Sequence, residues 1–467
     1  MSGAALFRHD IGFTELGLCK ALVDQCEKSL NLKHPTDIQV KSIPAVLKGE
    51  NVCGSAPTGS GKTAAFALPI LHHLSRDPYG VFAVVVLPVR ELAAQVAEQF
   101  TSLGSCIGAR VQLVVGGQSI IHQAIQFTSR PHIVVATPGR LASVLEFNED
   151  CRKMCRKMKF LVLDEADHLI DDNFMDQVDS VLGFLPSQKV QKLLFSATLN
   201  SCVETLSKKF GVCTVVDCAA KEQPMDNLRQ TFVMVPRVAQ LCYLRFLLTE
   251  HFANQSAIIF TLSVRDCELV TRVLKRLKMT VCGLHSLMSQ ADRTQSLYQF
   301  KAGSSTILVA TDLAARGLDI PQVGVVINLD VPDDPTLYVH RVGRTARAGR
   351  KGLCVTFVTS GMGSKLARKV EKATEVTMEP YEMNEDAAQL LLASTSRVHQ
   401  EAIREMEDDG FEERLVERKE MKRKDRSAKM GGKSTAKAGK SSKKSGSSGG
   451  DGKKPGVKKK KVKEGAQ

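Results

Sequence analysis

Eight consecutive residues, Ala56-Pro57-Thr58-Gly59-Ser60-Gly61-Lys62-Thr63, have the types and spacing to hold a chain of phosphates. Glycines let backbone N–H groups close around phosphate oxygens, and a following helix points its positive end at them. Lys62 would reach the β- and γ-phosphates, and the Thr63 hydroxyl would ligate Mg²⁺. The general pattern has Gly where Ala56 stands. Farther along, the apolar run Phe160-Leu161-Val162-Leu163 leads into Asp164-Glu165-Ala166-Asp167. A carboxylate at the end of a buried parallel strand is where a Mg²⁺-coordinating acid stands in a nucleoside triphosphatase. Asp164 is therefore the expected second metal ligand, and Glu165 is positioned to polarise an attacking water. An acidic helix start would account for one such acid. It does not account for acids that follow a strand in a chain already carrying a phosphate loop.

These residues need a scaffold, and the chain supplies one. Short apolar runs alternate with helix-length amphipathic segments. Val81–Leu87, Ile133–Ala136, Phe160–Leu163 and Leu193–Phe195 read as strands. Ile258–Phe260, Thr306–Ala310, Val325–Asn328 and Cys354–Val358 form a second series. Continuous apolar runs separated by helices predict parallel sheets covered on both faces. Two series predict two α/β domains, over residues 1–218 and 231–380. The polar, Pro-containing stretch 219–230 reads as a linker. After Pro380 the apolar spacing turns helical, predicting an extension over 381–413.

The charge is unevenly placed. The 467 residues carry 64 Lys and Arg against 50 Asp and Glu, but residues 414–467 hold 20 of the bases and only 5 of the acids. The body is close to neutral and the tail carries the excess. Rich in Lys, Gly and Ser, the tail is expected to be disordered. It reads as a nucleic-acid or nuclear-import arm, with a merely solvating tail as the alternative. No apolar run is long enough to predict a membrane span, and no secretory signal is visible, so a soluble intracellular protein is expected. The 13 cysteines are scattered and odd in number, which reads as reduced thiols rather than a disulfide framework.

The motifs together resemble the DEAD-box ATP-dependent RNA helicases of superfamily 2. Asp164-Glu165-Ala166-Asp167 is the name-giving tetrad, and the resemblance covers residues 11–380 with its motifs in family order. It implies two tandem RecA-like parallel-sheet domains followed by the disordered basic tail. It also implies that Gln39 hydrogen-bonds the adenine edge of ATP while Phe13 stacks on its face. Pro88, Arg90, Gly117, Thr137, Gly139 and Arg140 resemble RNA-contact positions of the first domain. Arg293 and Thr311 resemble those of the second. Gly317 and Asp319 lie in the motif linking RNA to ATP. Ser196-Ala197-Thr198 resembles the motif coupling nucleotide state to strand separation. His340-Arg341-Val342-Gly343-Arg344-Thr345-Ala346-Arg347 resembles the segment that supplies arginine fingers, Arg344 and Arg347. The family more often has Gly at Asn31, Ser286 and Ala346. A helical backbone at Ala346 would accommodate the extra methyl.

The resemblance implies a catalytic set of Lys62, Asp164, Glu165, Arg344 and Arg347. Because these residues fall in both domains, ATP with Mg²⁺ would close one domain on the other, and closure would build the RNA site. Contacts would be mostly to the RNA backbone, bending single strands and separating short duplexes. The expected function is an RNA-dependent ATPase and helicase in ribosomal-RNA processing and ribosome biogenesis, in the nucleus and nucleolus. It would act as a monomer, without a membrane, and with a ribosome-assembly protein as cofactor. An ATP-gated RNA clamp, a role in messenger-RNA export and a DNA helicase are the alternatives.

Overall fold

The computed structural model describes residues 7–57, 59–170, 172–186, 189–197, 201–211, 214–218, 228–312, 322–346, 351–359, 361–374 and 376–421. Residues Met1–Met406 form one unit and Glu407–Gln467 another. Of the sequence-predicted positions, Thr58, Thr198, Gly317, Asp319, Arg347, most of the linker stretch and residues 422–467 lie outside the described residues.

The first unit is built on two seven-stranded sheets. The first contains β1 (Val52–Ser55), β2 (Ala83–Val86), β3 (Val111–Val114), β4 (Ile133–Ala136), β5 (Phe160–Leu163), β6 (Gln191–Ser196) and β7 (Thr214–Asp217). The second contains β8 (Leu228–Met234), β9 (Ala257–Thr261), β10 (Val281–Leu284), β11 (Ile307–Thr311), β12 (Val325–Asn328), β13 (Gly352–Val358) and β14 (Glu379–Pro380). Their orders are β3-β4-β2-β5-β6-β1-β7 and β10-β11-β9-β12-β13-β8-β14, so the second repeats the first strand for strand. Neighbouring strands run parallel, as in Val85 beside Val162 and Ile259 beside Ile327.

Parallel strands need helical crossovers, and these cover both faces of each sheet. The strand pleat then sorts alternate residues to opposite cores. In β2, Ala83 and Val85 pack on one face while Val84 and Val86 pack on the other. In β9, Ile258 and Phe260 separate from Ala257 and Ile259 in the same way. This double burial is why the strands read as unbroken apolar runs.

Several boundaries differ from the sequence reading. The strand expected over Val81–Leu87 is confined to Ala83–Val86, because Val81 takes a left-handed φ of 47° before the strand begins. Strand β8 starts at Leu228, inside the stretch read as a linker, where Leu228–Gln230 pair with Gly352–Cys354. The helices after Pro380 are present as Glu385–Leu390 and Leu392–Asp408. Residues 411–421 are also helical, so the expectation of disorder from 414 onward fails at 414–421. That segment, FEERLVERKEM, is made largely of strong helix formers that the charge count alone obscured. Among the described residues the cysteines are free, eight of them buried, and no helix is long and apolar enough to cross a membrane.

Candidate nucleotide site and nucleic-acid interface

In the first sheet the sequence-predicted residues gather at the carboxyl ends of the strands, where open parallel sheets bind ligands. The phosphate loop follows β1, Pro88 and Arg90 follow β2, and Gly116-Gly117 follow β3. Thr137 follows β4, Asp164 and Glu165 follow β5, and Ser196 ends β6. Asp164 and Val86 are tied directly, the Asp164 N–H donating to the Val86 carbonyl at 3.1 Å.

The loop after β1 leads into the helix Lys62–Arg76, whose face of Ala65, Phe66, Leu68 and Ile70 is buried. Gly61 has φ 86°, and a Cβ there would collide with the Gln39 amide nitrogen. Only glycine satisfies both constraints. Lys62 is buried, and its ammonium donates to the carbonyl oxygens of Ala56 at 2.7 Å and Pro57 at 3.4 Å. The Ala56 N–H in turn donates to the Ser196 carbonyl at 3.2 Å, so the loop is pinned to the end of β6. Ala56 is fully buried, and the Cβ that distinguishes it from the general pattern sits in the core.

Asp164 and Glu165 are adjacent buried carboxyls. Burial, and after it the charge of Glu165, pushes Asp164 up to about 7, against the pull of Lys62. Two acids held this way favour a cation between or beside them. The Thr63 hydroxyl at the start of the phosphate-loop helix and the Asp164 carboxylate are hard oxygen donors, a set that fits Mg²⁺. Glu165 takes φ 51°, a left-handed conformation that turns the chain sharply from β5 into the helix Ala166–Leu169. Its carboxylate lies 3.9 Å from Nδ1 of His168.

Two adenine-site expectations change. The ring of Phe13 is 1% exposed and belongs to the hydrophobic core, so it offers no open face for stacking in this structure. The Gln39 amide is engaged at both ends, accepting from the Thr36 N–H at 3.0 Å and donating to the Gly61 carbonyl at 3.1 Å. Gln39 thus caps its own helix, Asp37–Leu47, and ties it to the phosphate loop.

Of the expected RNA positions of the first domain, Arg90, Gly117 and Arg140 come together. A Cβ on Gly116 or Gly117 would press on the Arg90 guanidinium, so the Gly-Gly pair gives that arginine room. Arg140 donates to the Gln118 carbonyl at 2.7 Å, and burial together with Arg90 pushes its guanidinium below the usual range. Two cations brought near each other beside exposed backbone suit a run of phosphates. Gly139 similarly makes room for Gln177. Pro88 is buried and supports this turn rather than facing outward.

Arg293, expected to contact RNA, is engaged elsewhere. It donates to Glu91 at 2.7 Å, and Gln290 donates to the same carboxylate at 2.9 Å. Its charge is therefore spent on an acid of the first domain. Thr311 is buried, and its hydroxyl has no hydrogen-bond partner among the described residues. Ala346 is left-handed at φ 55°, not helical, so the condition for tolerating its methyl is not met. Asn31 stands at φ 53°, where Asn is among the few residues that sit with little cost.

Four residues matter more than their sequence setting indicated. Glu91 lies in the run PVRELA directly after Arg90, where it reads as an ordinary acid in the first turn of a helix. Arg341 is 1% exposed and makes a two-pronged pair with Asp312 at 2.5 and 2.7 Å. It also donates to Asn328 and to the Asp330 carbonyl, and lies over the Phe260 ring at 5.2 Å. It binds the ends of β9, β11 and β12 to the helix Pro335–Val342, which leads to Arg344. His168 meets His340 edge-to-face, ring centres 5.4 Å apart. No sequence rule pairs residues so far apart along the chain.

Comparison with known proteins accords with this arrangement. Residues 36–206 match the DEAD/DEAH box helicase family, and residues 237–349 match the helicase conserved C-terminal domain. The chain is 44% identical to DEAD-box ATP-dependent RNA helicase 36 of Arabidopsis thaliana, over 88% of this chain and 84% of that protein. It is 42% identical to the ATP-dependent rRNA helicase RRP3 of Kluyveromyces lactis, over 84% and 80% respectively. The fold is similar to that of S. cerevisiae Dbp5 bound to RNA and ADP BeF3, with a TM-score of 0.70 and 28% identity, covering 83% of this chain and 99% of that one.

Proposed function

Because this chain belongs to the DEAD-box family of ATP-dependent RNA helicases, we propose that it couples Mg²⁺-dependent ATP hydrolysis to local unwinding of RNA or remodelling of RNA–protein complexes in ribosomal-RNA processing. Lys62 and the loop Ala56–Thr63 hold the phosphates, Thr63 and Asp164 hold Mg²⁺, and Glu165 orients the attacking water. Arg344 and Arg347 stabilise the charge that develops on the transferring phosphoryl group. Residues 1–218 and 231–380 act as the two closing domains. Arg90, Gly117, Thr137, Gly139 and Arg140 carry the RNA backbone.

The observation that carries this reading is the contact of His168 with His340. His168 stands just after Asp164 and Glu165, and the His340 carbonyl accepts from the Arg344 guanidinium at 3.3 Å. The acids that would serve the metal and water thus abut the helix that ends in the arginine segment. A ligand lying between them would be met by both.

The ribosomal assignment rests on likeness to the rRNA helicase RRP3 and on the lysine-rich C-terminal sequence. It implies a nuclear and nucleolar location, a monomer, and an assembly-factor protein that accelerates turnover. Phosphate release with and without single-stranded RNA, in wild type and Glu165→Gln, tests the core of the proposal. Strong RNA stimulation in the wild type, lost in the variant, is expected. RNA retention upon ATP binding without stimulated turnover would instead make the protein an ATP-gated clamp.

A further inference from the structure

A cluster beside the nucleotide site has ligand chemistry that hydrolysis does not use. Asp167, His168 and His340 each bring one donor atom to within 4.8 Å of the others. Asp167 and His168 lie in the first helical turn after β5, and His340 lies in the helix Pro335–Val342. The imidazoles meet edge-to-face at an interplanar angle of 89°. The Asp167 carboxylate is oriented by the His168 N–H, which donates to it at 3.2 Å. The His168 side chain is 11% exposed, and the Glu165 carboxylate nearby adds negative charge.

The geometry points to a transition-metal site formed by Asp167, His168 and His340, distinct from the Mg²⁺ site, that staples the two domains together when occupied. Two imidazoles and one carboxylate are a borderline donor set. Such sets favour Zn²⁺, Co²⁺ or Ni²⁺, whereas Mg²⁺ prefers oxygen. Three protein ligands with positions left for water are a common arrangement for these ions. Donors at about 2.1 Å from one ion cannot lie more than about 4.2 Å apart. Occupancy requires each pair of donors to come within that span, a small adjustment at most from a cluster already within 4.8 Å.

The consequence follows from where the ligands come from. Two lie in the first domain and one in the second, so all three meet only while the domains are together. An ion that binds the closed arrangement better shifts the population toward it. Bound ion would then slow reopening, lower turnover and lengthen RNA retention. Linkage requires the reciprocal effect, with nucleotide and RNA raising metal affinity by the factor by which metal raises theirs. The binding itself stands apart from the proposed ATPase cycle, and only this consequence rests on it.

Co²⁺ is the probe, because its absorption reports its ligands. The chain's 13 cysteines are the competing site, and thiolate ligation gives an intense charge-transfer band that a nitrogen–oxygen set lacks. Titrating full-length protein with Co²⁺ should reveal one site without that band. Affinity should fall about tenfold or more in both His168→Gln and His168→Arg, and should rise in wild type with a non-hydrolysable ATP analogue and RNA present. Turnover inhibition by Co²⁺, expressed against each protein's own Co²⁺-free rate, should weaken in the same variants. The Co²⁺-free, Mg²⁺-supported rate reports separately on the ATPase reading. Binding seen only with the thiolate band, or affinity unchanged in both His168 variants, overturns the inference and leaves the trio as a domain contact alone.

Discussion

Arg293 donates to the Glu91 carboxylate at 2.7 Å, joining the helix Gln290–Lys301 to the helix Arg90–Gly104. Glu91 is 4% exposed and the arginine side chain 10%, so both charges are well withdrawn from water. Gln290 donates to the same carboxylate, and Arg90, proposed to contact RNA, is the neighbouring residue in the chain. A residue expected on RNA instead holds one domain against the other. If RNA binds at Arg90 and Arg140 as proposed, it meets a surface whose position depends on this pair.

Removing one partner leaves the other buried and unpaired, which typically costs about 3–5 kcal/mol. Within the closed arrangement Glu91→Ala should weaken coupling between ATP and RNA binding while leaving ATP binding alone nearly intact. A double-mutant cycle with Arg293→Ala, read as RNA affinity with and without a non-hydrolysable ATP analogue, should give a coupling energy of about 0.5–3 kcal/mol. Strict additivity would mean that the pair does not stabilise closure.

Glu165→Gln preserves shape while removing the charge that would orient water. It should bind ATP and RNA and hydrolyse slowly, accumulating the closed form. Arg344→Ala should lower RNA-stimulated turnover on the order of a hundredfold or more if it acts as an arginine finger. Single-turnover phosphate release distinguishes a lost chemical step from slow product release. Wild-type turnover in either variant would remove that residue from the catalytic set.

Ala346 offers a test in the stabilising direction. Its φ of 55° puts a Cβ in the left-handed region, where L-residues other than Asn and Asp are strained. Ala346→Gly relieves that strain but increases the freedom of the unfolded chain. The net expectation is a stabilisation of a few tenths to about 1 kcal/mol, visible as a higher urea midpoint with an unchanged slope. A lower midpoint would show that the methyl's packing outweighs the strain.

Glu268 sets a pH dependence. Burial raises its pKa, but hydrogen bonds from His285 and Arg272 more than offset this and leave it at about 2. The folded value lies below the ordinary 4.5, so the contribution is full above the ordinary value and is lost as pH falls toward the folded one. Urea midpoints of wild type should therefore drop between about pH 5 and about pH 3 more steeply than those of Glu268→Gln. Parallel curves would place the acid sensitivity elsewhere.

The local chemistry and the class of fold were legible in the residues alone. Ile133–Ala136, Phe160–Leu163 and Val325–Asn328 are strands with the bounds their apolar runs marked, because strands buried on both faces leave an unbroken signature. The phosphate loop and the Asp164-Glu165 pair were legible because each is a short contiguous motif whose chemistry follows from residue type. Which groups are already engaged depends on how the chain packs in three dimensions. Gln39 is held by Thr36 and Gly61, Phe13 is closed into the core, and Arg293 is spent on Glu91. The left-handed turn at Ala346 was likewise invisible, since φ is set by the path between flanking elements rather than by the alanine. Contacts such as Arg341 with Asp312 and His168 with His340 join segments far apart in the chain, and sequence spacing carries no information about which distant side chains the sheets bring together.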